Sequence, residues 1–244
     1  MARNKMKKVA AYAGTKNLYP DMVPAVKSLM IHSDVDEIWL FIEDDKFPYE
    51  MPSIVKTRNV SDQKYFKADG PNMKSDFTYM AMMRTTYYKE FPKLDRILSL
   101  DIDTIVNEDI SDLWDLDLGD YYYLSATPEF SRSFRDDIYV NIGVALYNLD
   151  KLRDGKGDEV IKTLNEGHYT YLEQDVFNQK CKGQILAMPS EYNATAYTDP
   201  TNHPKITHFA GVKHDDWRKL PLVDHYYKVP WKDILDYRKR TYGK

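Results

Sequence analysis

A parallel α/β sheet packed between helices as one domain is the fold this sequence predicts, and three observations predict it. Val9-Ala10-Ala11-Tyr12-Ala13 is an uninterrupted apolar run with the length of a buried strand. The polar turn Gly14-Thr15-Lys16-Asn17 leads into an amphipathic stretch ending near Met30, and Glu37-Ile38-Trp39-Leu40-Phe41-Ile42 follows as a second buried strand. Strand, helix and strand at this spacing open a parallel sheet, where each crossover is helical and right-handed. Third, Arg96-Ile97-Leu98-Ser99-Leu100 is another apolar strand and runs directly into Asp101-Ile102-Asp103.

With 244 residues, 43% of them hydrophobic, the chain can bury one substantial core. Charged residues make up 30% with a net charge near −4, and the apolar runs stop well short of the ~20 residues that span a bilayer. The basic start Arg3-Asn4-Lys5-Met6-Lys7-Lys8 precedes an apolar run too short for a signal peptide, with no small-residue cleavage pattern after it, so a cytoplasmic protein is expected. The single cysteine, Cys181, rules out an internal disulfide and a zinc site of paired thiolates, which fits a reducing compartment. There is no basic excess of the kind phosphate neutralisation requires, which disfavours nucleic-acid binding. Twenty tyrosines and four tryptophans serve cores and sugar platforms alike, so the aromatic load does not by itself choose a substrate.

Ser75 to Phe91 reads as a helix with Phe77, Met80, Ala81 and Tyr88 in a stripe, and Arg84 falls on the same stripe. A guanidinium on a core-facing stripe needs a carboxylate or phosphate partner, which makes Arg84 either an internal ion pair or a clamp on a phosphate or sugar. Tyr121 to Ala126 and Tyr139 to Asn148 read as strands, and Leu149 to Glu166 as a helix interrupted at Gly155-Lys156-Gly157; another helix begins near Glu173. The expected division is a main domain over residues 1–220 and a helical tail over 221–244. From Val229 the tail mixes Trp231, Tyr237 and Tyr242 with Lys228, Lys232, Arg238, Lys239, Arg240 and Lys244. It is either a helix packed on the domain with a solvated charged face or one lying on an anionic membrane surface, at the inner face of the membrane.

In an extended chain the side chains at i and i+2 point the same way, so Asp101 and Asp103 present two carboxylates on one side of the backbone. They stand at a strand's carboxyl end, where open α/β sheets place ligands, and hard oxygens suit Mg²⁺ or Mn²⁺. An ion there could neutralise a diphosphate and stabilise it as a leaving group. The tripeptide also arises by chance as a loop or helix cap. Aspartate-nucleophile phosphatases share its letters in a D-x-D-x-T motif, but here the threonine is Thr104, one place early, Ile105 stands in its position, and the pair does not follow the first strand.

From Ser75 through Leu118 the chain, with Arg84 in a helix, then RILSLDIDTIV over 96–106 and ISDLWDLDL over 110–118, resembles the family-8 glycosyltransferases. The bacterial lipooligosaccharide galactosyltransferases are the closer likeness and glycogenin a more distant one. YVNIGVALYNLDKLR over 139–153, EQDVFN over 173–178 and ITHFAG over 206–211 extend the resemblance. It implies the GT-A fold, a Rossmann-like, mostly parallel mixed sheet flanked by helices. It also implies that Asp101 and Asp103, with Ile102 between them, meet the donor through Mn²⁺ (Mg²⁺ possible), with His208 as third ligand and Arg84 on the donor's phosphate or sugar. Asn141 would bond a donor-sugar hydroxyl, and Gly143 would leave room for close approach. Gln174 would lie near the anomeric carbon, flanked by Asp175 and by Glu173, which stands where the family has aspartate. Gly211 completes the His-x-x-Gly motif, and Lys213, one place earlier than in relatives, would contact phosphate. Tyr12, Gly14, Thr15 and Tyr19 are the counterparts of a uridine-contacting run. Read without the family, His208 is a core histidine, Asn141 an edge asparagine, and Glu173 and Asp175 are helix caps.

The activity implied is retaining transfer of glucose or galactose from UDP-glucose or UDP-galactose to an acceptor hydroxyl on a glycan, glycolipid or protein. The alternative of another class is a nucleotide-sugar or carbohydrate-binding homologue without turnover.

Overall fold

The computed structural model describes residues 6–75, 77–133 and 138–244. In β1 (Val9–Ala13), Val9 and Ala11 face one hydrophobic cluster while Ala10 and Tyr12 face another. A strand covered on both faces needs an apolar side chain at every position, which is why this run is continuous instead of alternating. α1 (Tyr19–Ile31) crosses over to β2 (Glu37–Ile42), parallel to β1, and β3 (Val55–Asn59) adds in parallel at the sheet's edge. The β3 sequence VKTRN is polar, as an exposed edge demands, and carries no apolar signature.

The helix expected over 75–91 is shorter and broken into α2 (Tyr79–Met82), a 3₁₀ turn Met83–Thr86 and α3 (Tyr87–Glu90). Thr85 and Thr86 donate their hydroxyls to the carbonyls of Met82 and Met83, three residues back, a local competition that tightens the turn. Met80 and Tyr88 are buried, but Phe77 lies ahead of the helix and is 48% exposed. β4 (Arg96–Leu100) pairs in parallel with β1, and β5 (Thr104–Val106) leaves the main sheet. β6 (Leu124–Pro128) starts later than expected and β7 (Val140–Asn148) within a residue of its expected start. α4 (Leu149–Lys151) and α5 (Gly157–Glu166) are separated by a kink at Gly155, whose φ of +100° favours glycine. α6 (Leu172–Lys180), β8 (Ile185–Ala187), β9 (Ile206–His208), α7 (His214–Trp217), α8 (Pro221–Lys228) and α9 (Trp231–Tyr242) complete the chain.

The main sheet has the order β3-β2-β1-β4-β7-β6-β8, with β7 alone running against the rest. This is the mostly parallel mixed sheet expected, as a single domain. β5 and β9 pair antiparallel in a separate ribbon.

The C-terminal helices lie against α1. Lys27 Nζ donates to the carbonyls of Tyr227 and Val229, and Ile234 enters the α1-side cluster. Arg238 is 2% exposed and donates to the carbonyls of Met30, Ser33 and Val35 at 2.7, 2.8 and 2.7 Å. The structure thus gives the packed form of the tail, with Lys232, Lys239 and Arg240 on the exposed face. Among the described residues no helix is long and apolar enough to cross a membrane. Arg238→Ala would leave three carbonyls without their donor and is expected to destabilise the protein by about 3 kcal/mol. Urea denaturation checks this; a change under about 0.5 kcal/mol, typical of a surface position, would contradict it.

Candidate active site

After Leu100 the chain leaves the sheet through Asp101, Ile102 and Asp103. The turn is pinned on both sides: Asp101 N–H donates to Gly143 O at 2.7 Å, and Thr104 Oγ1 donates to Asp101 O at 2.6 Å. The β5–β9 ribbon sets Thr104 opposite His208, and Phe209 N–H donates to Asp103 O at 3.0 Å. That register carries the imidazole to the aspartates, with Nε2 3.3 Å from Asp103 Oδ1 and 3.6 Å from Asp101 Oδ2. One ligand atom from each of the three residues lies within 4.8 Å of the others.

His208 Nδ1 stands 2.8 Å from Asn193 Oδ1, an acceptor, so Nδ1 carries the proton and a neutral ring turns the Nε2 lone pair toward two carboxylates. Such a grouping calls for positive charge. Burial opposes the charged imidazole, but Asp103 and Asp101 together outweigh it and raise the His208 pKa; Asp103 is itself lowered by His208 despite burial. A divalent cation fits the same atoms, since two hard carboxylates and one imidazole suit it.

Arg84, 6% exposed, donates to Asp101 Oδ1, which leaves Oδ2 facing His208. Its other bonds go to Ile142 O at 2.5 Å and Ala81 O at 3.2 Å, and Nε lies 3.3 Å from Glu173 Oε1. In this structure Arg84 thus makes an internal ion pair while also lining the cleft. Burial pushes the Glu173 pKa up to about 7 against the pull of Arg84, and its Oε2 is buried without a hydrogen-bond partner among the described residues. Leu172 holds φ at +47°, uncommon for a side chain of this size, at the start of α6 just before Glu173 and Gln174. Arg84, Asp101, Gly143, Glu173 and Gln174 share one cleft, which Phe77 and Tyr171 also line.

Gln174 and Asn141 are held by the protein. Gln174 Oε1 accepts from Ile142 N–H at 3.2 Å while Nε2 donates to Glu129 Oε1 and to Tyr139 Oη. Asn141 Nδ2 donates to Glu129 Oε1 at 3.0 Å, and its Oδ1 accepts from Gly143 N–H. Gly143, expected to leave room for close approach, leaves room for the side chains of His208 and Asp101: a Cβ there would fall 2.1 Å from His208 Cε1 and 2.8 Å from Asp101 Oδ2.

The other expected positions are placed as follows. Asp175 accepts from the Tyr139 hydroxyl at 2.5 Å and from Tyr171 N–H at 2.9 Å, which ties the start of α6. Tyr12 is fully buried because β1 is covered on both faces, and Tyr19, 3% exposed, bonds Asp44 and the Glu43 N–H. Both side chains are turned into the protein in this structure. Gly14 packs against Met22 and Ile102, and half-buried Thr15 donates to Asn17 Oδ1, so this turn adjoins the Asp-x-Asp segment through Ile102. Beyond β9, Gly211 has φ +83° and Lys213 is exposed. The next turn is moored by Asp21, wholly buried on α1: Arg218 Nε lies 2.5 Å and His214 Nδ1 3.0 Å from its oxygens.

On this frame, the profile of glycosyl transferase family 8 matches residues 25–234. The chain belongs to glycosyl transferase family 8. It is 31% identical over 190 residues to lipopolysaccharide 1,2-glucosyltransferase of Escherichia coli K12, 60% of this chain and 56% of that protein. To glycosyltransferase GlyA of Streptococcus pneumoniae serotype 4 it is 26% identical over 216 residues, 86% of this chain and 29% of that protein. The family 8 chain thus spans 29% to 56% of the lengths of these curated relatives. Among solved structures, glycosyltransferase GlyE of S. pneumoniae TIGR4 aligns with a TM-score of 0.72 at 22% identity, covering 97% of this chain and 64% of that one. Galactosyltransferase LgtC, in complex with donor and acceptor sugar analogues, aligns at 0.65 and 20% identity over 92% of this chain and 98% of that one. At such identities the likeness is one of fold, the GT-A fold. Family membership also sets the phosphatase reading aside.

Glu129, Asn193 and Asp21 escaped the sequence analysis. None stands at a recognisable spacing from another functional residue, and each gains its place only through tertiary packing.

Proposed function

We propose that this family 8 chain transfers a hexose, glucose or galactose, from a UDP-sugar to an acceptor hydroxyl of a glycan, glycolipid or protein, with retention and with Mn²⁺ or Mg²⁺, in the cytoplasm. The observation that carries the reading is the convergence of Asp101, Asp103 and His208 beside a cleft lined by Arg84 and Gln174. Glucosyl and galactosyl transfer, named for two of the relatives, support a hexose.

Asp101 Oδ2, Asp103 and His208 Nε2 would hold the cation, which supplies neutralisation of the diphosphate and of the charge that builds on the leaving phosphate. Arg84 orients Asp101 by occupying its other oxygen. Gln174 and Asn141 stand on the donor-sugar side, their amides already aimed by Glu129. Gly14 and Thr15 would border the nucleotide base, and Lys213, after the Gly211 turn, would contact phosphate. Fixed dipoles and charges of this kind need no reorganisation as the bond to the sugar breaks.

The test is incubation with UDP-glucose and UDP-galactose in the presence of Mn²⁺ or of a chelator. Metal-dependent release of UDP is expected; metal-independent turnover, or none with either donor, would overturn the assignment. Asp21→Asn, which weakens the mooring behind Lys213, is expected to raise the donor KM several-fold, about 1 kcal/mol of binding, and to leave Mn²⁺ affinity unchanged. Steady-state kinetics and calorimetry read the two effects separately, and an unaltered KM would contradict this role for Lys213.

A further inference from the structure

We infer that Asn193, backed by Asn141 and Glu129, fixes which nitrogen of His208 faces the aspartates and thereby sets the site's affinity for a divalent cation. The inference rests on reading Asp101, Asp103 and His208 as metal ligands. Four side chains form a line of hydrogen bonds whose direction is set by groups that have no choice. The Gly143 N–H can only donate, and the atom 3.0 Å from it is Asn141 Oδ1. The Asn141 amide therefore turns Nδ2 to Glu129 Oε1 at 3.0 Å, a carboxylate oxygen that accepts. Asn141 Oδ1 has a second lone pair, and Asn193 Nδ2 donates to it at 2.9 Å. That leaves Asn193 Oδ1 facing His208 Nδ1 at 2.8 Å. An amide oxygen only accepts, so Nδ1 bears the hydrogen and Nε2 is the nitrogen presented to Asp101 and Asp103.

Burial makes the line rigid. Glu129 is 4% exposed, Asn141 7%, Asn193 0% and His208 5%, so turning either amide over would set like groups against each other with little water to relieve them. The backbone holds the two ends of the last link together: Ala194 N–H donates to Ile206 O at 3.0 Å, and His208 N–H to Ala194 O at 3.0 Å. Metal-binding histidines ordinarily donate their second N–H to a carboxylate or carbonyl, which fixes the tautomer and raises ligand basicity. Here a carboxylate acts through two intervening amides, and the same Glu129 oxygen also accepts from Gln174 Nε2 at 3.3 Å. The cation side and the sugar side of the cleft thus share one anchor, and Asn193 is a positioning residue.

The experiment measures Mn²⁺ binding by calorimetry for the full chain and for Asn193→Leu and Asn193→Asp, with circular dichroism to establish folding. Folded N193L is expected to bind Mn²⁺ about 10- to 100-fold more weakly, and N193D, which keeps an acceptor against Nδ1 but sets a carboxylate oxygen against Asn141 Oδ1, to lose less than N193L. In ¹⁵N-labelled wild-type protein loaded with diamagnetic Cd²⁺, His208 should show a protonated Nδ1 and a metal-bound Nε2. Wild-type affinity in folded N193L, or metal on Nδ1, overturns the inference. Should N193L not fold, the nitrogen assignment in the wild-type protein decides alone. A wild-type chain that takes up neither ion overturns the metal-site reading itself, a failure distinct from N193L matching the wild type.

Discussion

Gly143→Ala is expected to weaken Mn²⁺ uptake sharply while leaving the fold intact. The added methyl would lie 2.1 Å from His208 Cε1, 2.7 Å from His208 Nδ1 and 2.8 Å from Asp101 Oδ2, all inside the approach a real side chain makes. None of these neighbours is a loose chain end. His208 is held at its backbone by the β5–β9 ribbon and at its ring by Asn193, and Asp101 is held by Arg84. Overpacking of this kind destabilises by about 1–3 kcal/mol, a loss a domain of this size can survive. The damage falls on the ligand set, because the imidazole is forced off its line to the carboxylates. Mn²⁺ affinity should fall at least about 100-fold, near the upper end of what disturbing a ligand's support does. Calorimetry with Mn²⁺ and a melting curve check the two halves, and a folded G143A that binds the ion normally would mean that His208 is not a ligand.

Asp103→Asn should lower kcat/KM for UDP-sugar turnover by about 10³-fold, corresponding to about 4 kcal/mol of transition-state stabilisation. The substituted amide keeps the size of the side chain but removes a charge 3.3 Å from His208 Nε2, where the cation is expected. Asp101 would remain, with one oxygen committed to Arg84, so the variant is left with one carboxylate oxygen and an imidazole. Excess Mn²⁺ should recover part of the activity. Wild-type turnover in folded D103N would remove this aspartate from the catalytic site.

β1, β2 and β4 were legible in the sequence because strands buried on both faces carry near-continuous apolar runs. β3 was not, because an edge strand with the sequence VKTRN resembles a loop. β5, β8 and β9 have three residues each, too few to show any period. The i, i+2 geometry placed Asp101 and Asp103 on one side of the chain, a local inference. His208 could be joined to them only through a family resemblance, since its proximity comes from the register of a ribbon whose strands are far apart in sequence. Arg84 announced its need for a partner by lying on an apolar stripe, but which carboxylates would answer was undetermined. The burial of Tyr12 and Tyr19 was not legible either, because aligning a motif says nothing about which way a side chain points from a doubly covered strand or a packed first turn. Asn193 and Glu129 matter through the direction of their hydrogen bonds, a property that composition and spacing do not carry.

The ribbon of β5 and β9 has a consequence for how the protein comes to be ready for work. It fastens a segment late in the chain to the middle, and the three acidic and imidazole groups face one another only while that fastening holds. An ion seated among them would act as a reversible staple across a long loop, favouring the native chain over the unfolded one. Assembly of the molecule and preparation of its chemistry then become a single event, and loss of the ion would loosen both together.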